Sequence, residues 1–171
     1  METWDAILSR RNVRRFEDRP IPDESLDRVL EAGRRAPSSQ NRQRWDFVVC
    51  TDRDQLAALS EVWRGAGHVA GSAATICLLA PDADDPAQRE SIRYDLGQVT
   101  MAMMLTAVDL GIGSAHASAR DQELARELLG FPEDRFLAGL IALGYPAGRP
   151  LSPIRTPDRR DFDDVVHRGR W

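Results

Sequence analysis

The basic side chains of this sequence are placed where they could do chemistry, and they are all of one kind: 23 arginines and no lysine. Residues 10–19 hold five of them, in the run Arg10-Arg11-Asn12-Val13-Arg14-Arg15 and at Arg19. Guanidinium forks grip a phosphate bidentately, and the Asn12 amide adds a donor. A second stretch, Arg35 to Trp45, crowds together two hydroxyls (Ser38, Ser39), three side-chain amides (Gln40, Asn41, Gln43) and three arginines. A plain connecting loop seldom needs so many donors. A third, GIGSAHAS at 111–118, is made of residues small enough for a backbone to approach a flat ligand closely. The fourth is the Arg155, Arg159, Arg160 group and the FDDVVHRGRW that follows it. Each also has a plain structural reading: basic residues complementing a helix end, polar loop filling, tight packing, and a solvated charged tail.

The absence of lysine removes whole classes of reaction. P-loop ATPases, pyridoxal-phosphate enzymes and class I aldolases all need that amine. His68, His116 and His167 are scattered without metal-site spacing, so a protein-built zinc centre is not expected. Cys50 and Cys77 each lie in an apolar run and read as buried free thiols rather than a disulfide or redox pair. The net charge of −4 and the lack of a broad basic, aromatic-interleaved strip argue against a nucleic-acid surface. The five clustered arginines instead suggest a local anion site.

These residues need elements to position them. At 171 residues the chain suits a single domain spanning 1–171. No apolar stretch approaches the roughly 18 residues a membrane span requires, and the N-terminus does not read as a secretory signal. A cytoplasmic protein with no membrane partner is expected. Thr3 could cap a short helix with Trp4, Ile7, Leu8 and Arg11 on one face. Asp23 and Glu24 open a second helix, with Leu26, Val29, Leu30 and Gly33 as its stripe. Phe47–Thr51 reads as a buried strand, Asp52 caps a helix through Trp63, and Ala74–Ala80 reads as another strand. From Pro86 to Leu110 a long helix is apolar over much of its circumference, which fits a central position or a subunit interface. A short strand in GIGSAHAS, a helix closed by Gly130, and a strand from Phe136 to Tyr145 follow. Residues 147–171, rich in proline and arginine, should run extended as an arm. No GxGxxG follows a strand, so the expectation is an α+β fold with a small mixed central sheet flanked by helices.

Taken jointly, the motifs resemble the FMN-dependent nitroreductase family. RRNVRRF is similar to that family's RRSxRxF signature, and RAPSSQNRQRWDFVV to its R-AP-SSGN-QPW-FVV signature. YDLGQVTMAMMLTAVDLGIGS, FLAGLIALGYPAGRP and RRDFDDVVHRGRW resemble, in order, its central helix and strand, its ALGYP strand and its RW ending. The resemblance runs from about Asp5 to Trp171. It implies a nitroreductase-like fold in an interlocked homodimer, with FMN at the interface and the C-terminal arm wrapping the partner subunit. Carried residue by residue, Arg10, Arg11, Asn12 and Arg14 match phosphate and ribityl contacts. Arg35, Pro37, Ser38, Ser39 and Asn41 match the loop that reaches the flavin of the other subunit. Ala117, Ser118 and Ala119 fall beside the flavin N5 edge, and Arg159 matches a basic residue near the phosphate. The implied activity is ping-pong hydride transfer through flavin N5, from NAD(P)H as co-substrate to an electron-poor small-molecule acceptor such as a nitroaromatic or quinone. No catalytic side chain is expected, since the cofactor carries the chemistry. A flavin-fragmenting enzyme on the same scaffold and a non-catalytic FMN-binding module are the alternatives. The sequence departs from the family pattern at Asn12 (for serine), Gln40 (for glycine) and Arg44 (for proline).

Overall fold

A computed structural model describes residues 1–171. Four strands, β1 (Asp46–Cys50), β2 (Ala74–Pro81), β3 (Gly113–Ala117) and β4 (Arg135–Gly144), form one sheet in the order β1-β2-β4-β3. All three strand pairs are antiparallel. The mixed character expected of the sheet is confined to one parallel bridge, Asn12 to Ser114, made by the N-terminal segment along β3.

The position of β2 follows from its composition. ATICLLA is apolar without alternation, and Ala74 to Ala80 are all buried, as a strand covered on both faces requires. Successive side chains point to opposite faces. Ile76, Leu78 and Ala80 join a core with α2 (Asp23–Arg34) and α4 (Pro86–Asp109). Cys77 and Leu79 join a second core with α3 (Arg53–Leu59) and α5 (Gln122–Leu129). The sheet is thus the middle layer between two helical ones. Cys50 and Cys77 are free and buried in the second core, where the neighbouring Cys50 and burial push the Cys77 thiol up, away from reactivity.

The helices begin where their caps lie. The Asp52 carboxylate accepts from Gln55 N at 2.9 Å, Asp85 from Ala87 N at 3.1 Å and Asp121 from Leu124 N at 3.0 Å. The helix expected through Trp63 stops earlier: α3 ends at Leu59 and a 3₁₀ turn, Ser60–Val62, carries the chain on. α1 (Thr3–Ser9) also differs from expectation. Glu2 holds the cap position without a side-chain cap, and the buried residues are Ala6 and Ser9, leaving Trp4 66% and Ile7 45% exposed.

The N-terminal arginine segment is laid flat on the sheet. Val13 N donates to Ser114 O at 2.9 Å, and Glu17 N to Tyr145 O at 2.8 Å. This close approach requires glycine beneath it. A Cβ at Gly113 would lie 2.8 Å from the Val13 side chain, and one at Gly144 would lie 2.7 Å from Phe16. Beyond Tyr145 the chain is tied to the body by Ala147 N donating to Arg15 O at 3.0 Å, the Arg11 guanidinium donating to Arg149 O at 2.5 Å and Ile154 N donating to Leu8 O at 3.0 Å. Residues 155–171 are exposed throughout.

Candidate flavin and substrate site

The Asn12–Ser114 bridge sets the site, because it locks the arginine run in register with β3. Arg10 reaches the Asn12 Oδ1 at 3.5 Å, and Arg14 is exposed. Neither forms an ion pair with a carboxylate. Beside them the Ser114 hydroxyl and His68 Nε2 are buried without a hydrogen-bond partner. Burial holds the His68 imidazole below its ordinary value, and the charges of Arg14 and His116 push it the same way. Arg10 and Arg14 are thus cations without a carboxylate partner, the condition for holding an anion. Arg11 is used differently, since its guanidinium is partly buried and holds Arg149 O.

β3 leads from this cluster to Ala117, Ser118 and Ala119. Two clefts meet there, one of about 190 Å³ that includes Ala117 and Ser118 and one of about 460 Å³ that includes Ser118 and Ala119. The wall between them comes from a β-bulge in β4, where the register passes from Leu78–Gly139 to Leu79–Leu137 and leaves Ala138 unpaired. Bulges recur where a strand must open toward a site. A Cβ on Gly139 would lie 3.1 Å from Ala117 O, so the strands are in close contact at this point.

The second donor-rich stretch lies elsewhere in the chain. Pro37, Ser38 and Ser39 pack on the outer side of α4 with Ser91, Tyr94 and Asp95, sharing neither cleft with Ala117–Ala119. Asp95, 3% exposed, accepts from Ser39 N through both oxygens at 3.1 and 3.2 Å. Arg44 donates to Ser91 Oγ at 3.0 Å and stands 4.0 Å from Asp95. Between these anchors Gln40, Asn41 and Gln43 all have positive φ, at 54°, 55° and 49°. Gln40, standing where the family pattern has glycine, thus keeps the glycine conformation. Gln43 N donating to Ser38 Oγ at 2.9 Å and Arg42 donating to Gln40 Oε1 at 2.7 Å tie the loop further. Arg35 points away, bound to Glu31 of its own helix at 2.6 Å. Arg159 lies in the exposed tail and contacts only Asp158 O.

The chain therefore brings together the Arg10–Arg14 segment and Ala117–Ala119, and leaves the Arg35–Asn41 loop and Arg159 apart. Ser114, His68 and the Asp95 anchor were missed in the sequence. Asp95 had a signal: it is an acid inside the apolar stripe of Ile92, Leu96 and Val99, where a carboxylate needs a partner. His68 had none, since its neighbours come from distant segments.

A model of the nitroreductase family matches residues 7–74 and 60–145. An Archaeoglobus fulgidus protein provisionally named NADH dehydrogenase/NAD(P)H nitroreductase is 32% identical over 174 residues, covering 99% of each chain. The FMN reductase [NAD(P)H] of Bacillus subtilis is 28% identical over 91% of this chain and 70% of its own. Nitroreductase A of Vibrio parahaemolyticus superposes with a TM-score of 0.87 at 25% identity, over all of this chain and 77% of that one. With these likenesses running along nearly its full length, the arginine segment and the donor-rich loop included, the chain belongs to the nitroreductase family.

Proposed function

We propose that this protein reduces electron-poor small molecules, such as nitroaromatics or quinones, as a cytoplasmic homodimer with FMN bound between its subunits. Family membership makes it an oxidoreductase working with FMN and NAD(P)H. Bound FMN would supply the redox chemistry, accepting reducing equivalents from NAD(P)H and passing them to the acceptor.

The observation that carries the reading is the unneutralised arginine segment docked on β3, one strand length from Ala117–Ala119. Arg10 and Arg14 would hold the phosphate, with the Asn12 amide nearby for the ribityl chain. These donors fit a flavin mononucleotide at its charged end. Ala117, Ser118 and Ala119 would pass their backbone along the ring edge, where no large side chain of their own blocks entry.

The homodimer reading is supported by where the other residues stand. Ser38 and Ser39 of the loop line a cleft against α4 that shares no residue with the clefts at Ala117–Ala119. Tyr94 is 72% and Met101 46% exposed on the same helix, and Trp4 and Ile7 are bare on α1. An apolar face of this kind on a central helix suits burial by a second copy. The arm carries Phe162, Val165 and Trp171 uncovered as well.

The test is the visible spectrum of the purified protein, supplemented with FMN, before and after anaerobic NADH or NADPH. Bleaching by the nucleotide and recovery on adding a nitroaromatic or quinone is the expected result. A flavin that binds but is never bleached would make the protein a binding module, and no flavin binding would overturn the reading altogether.

A further inference from the structure

The larger cleft beside Ser118 and Ala119 carries a charge pattern distinct from the Arg10–Arg14 segment. Three arginines line it, Arg89 and Arg93 from α4 and Arg120 from the segment after β3, against a single carboxylate, Asp82. None of the three forms an ion pair. Arg89 donates Nε and Nη2 to Ala83 O, at 2.9 and 2.6 Å, which orients its guanidinium without neutralising it. Arg93 lies 5.8 Å from the Phe136 ring and Arg120 5.3 Å from the Trp63 ring, so both are steered by aromatic faces and keep their charge. Gln122, also in the lining, is fully engaged with Leu137, accepting from its N at 2.8 Å and donating to its O at 2.9 Å. The side-chain cations left for a ligand are guanidinium groups alone, on a protein whose net charge is −4.

Resting on the flavin oxidoreductase reading, we propose that this cleft is an anion subsite, so that the preferred small molecules carry a carboxylate, sulfonate or phosphate a few ångströms from the group that meets the flavin edge. The two clefts share Arg93, Ser118 and Ala138, so one ligand can lay its reducible end against Ala117–Ser118 and its anionic end among the arginines. At about 460 Å³ the cleft holds a small aromatic acid or one end of a dinucleotide. Guanidinium forks match planar oxyanions bidentately, and a neutral analogue leaves them unanswered. The same chemistry could come from a charged acceptor or from the 2′-phosphate of NADPH.

Matched pairs distinguish these sources. The FMN-loaded enzyme is assayed with 1,4-naphthoquinone-2-sulfonate against 1,4-naphthoquinone, and with NADPH against NADH. Binding of 4-nitrobenzoate against 4-nitrobenzamide to the oxidised protein is followed by calorimetry. The more highly charged member of at least one pair should be favoured about tenfold or more at low salt, and the preference should shrink as salt is added. In Arg93→Gln/Arg120→Gln the ratio should fall toward one, checked for folding by circular dichroism. Loss of the quinone preference assigns the anion to the acceptor, and loss of the NADPH preference assigns it to the nucleotide. Equal use of the two members by the wild type in every pair, or a preference that survives both the substitution and salt, would overturn the proposal. If no acceptor is reduced at all, the flavin reading has failed, and the calorimetric pair still tests the cleft.

Discussion

Single residues set the charge balance on which the site rests. Arg10 has no carboxylate partner, so its guanidinium is available to a phosphate, and Arg10→Ala should weaken FMN binding by about 1.5–3 kcal/mol, the range for hydrogen bonds to charged groups. Quenching of flavin fluorescence on titration measures this; wild-type affinity in a folded variant would remove Arg10 from the site. Gln40 stands at φ 54°, ψ 23°, a conformation that costs a residue with a Cβ and costs glycine nothing. Gln40→Gly should therefore stabilise the protein by about 0.5–1 kcal/mol, after the entropy glycine adds to the unfolded chain and the lost contact from Arg42 are set against it. A Tm rise of about 1–4 °C in a thermal melt is the expected sign. His68 is held below its ordinary value of 6.5 chiefly by burial. The unfolded chain takes up that proton first, so the stability involved is complete above about pH 6.5 and is lost as pH falls through the depressed folded value. The denaturant midpoint should be lower at pH 5 than at pH 7.5, and His68→Gln should narrow the gap. An unchanged gap would place its source in other groups.

At the scale of elements, α4 is the part that everything else is set against. It buries Ile92, Leu96, Val99 and Met103 in one core, and through Asp95 it holds the Ser38–Gln43 loop in a strained form. Three residues of positive φ persist only where neighbouring contacts over-determine them. Asp95→Ala removes two charge-assisted acceptors and leaves Arg44 facing an empty place, and should cost about 1.5–3 kcal/mol. Asp95→Asn keeps one oxygen for Ser39 N and should recover much of that loss. Denaturant unfolding of the two variants checks the order, and equal stability of Ala and Asn would mean that the carboxylate anchor is not what holds the loop. Arg44, standing where the family pattern has proline, is held to α4 by Ser91 and Asp95.

For the whole molecule, the proposal of two subunits turns on the face that α1 and α4 leave bare. Tyr94 and Met101 lie about two helical turns apart there, and the two exposed side chains of α1 extend the same kind of surface. A charge at its centre would have to be desolvated on association, so Met101→Glu should shift the protein toward monomer by several kcal/mol. Sedimentation velocity reads the mass directly, and FMN should be lost with the dimer, since the Ser38–Asn41 loop is proposed to serve the other subunit's flavin. A monomeric wild type that still binds FMN would overturn both statements. The anion subsite adds a further dependence: Arg89 and Arg93 stand on α4, so a displaced α4 would change acceptor choice as well as flavin affinity.

Much of this architecture is legible in the chain because it is written in local physics. Asp52, Asp85 and Asp121 mark helix starts by side-chain acceptance, β2 declares its two-sided burial by an unbroken apolar run, and Gly130 marks a helix end in the left-handed region. The arginine run is visible as a cation cluster, and the motif order points to its family. Other features depend on segments distant in the chain, and only the fold decided them. The antiparallel order of the sheet, the bridge that sets Asn12 beside Ser114, and the half-buried His68 that feels the charges of Arg14 and His116 each join residues tens of positions apart. Which face α1 buries was also undecided by periodicity, since a stripe of Trp4 and Ile7 records that a face is apolar and not what covers it. Local sequence determines which elements form and which residues they expose to capping or burial. Partnership between elements is a property of packing, where volume, charge and register must all be satisfied at once.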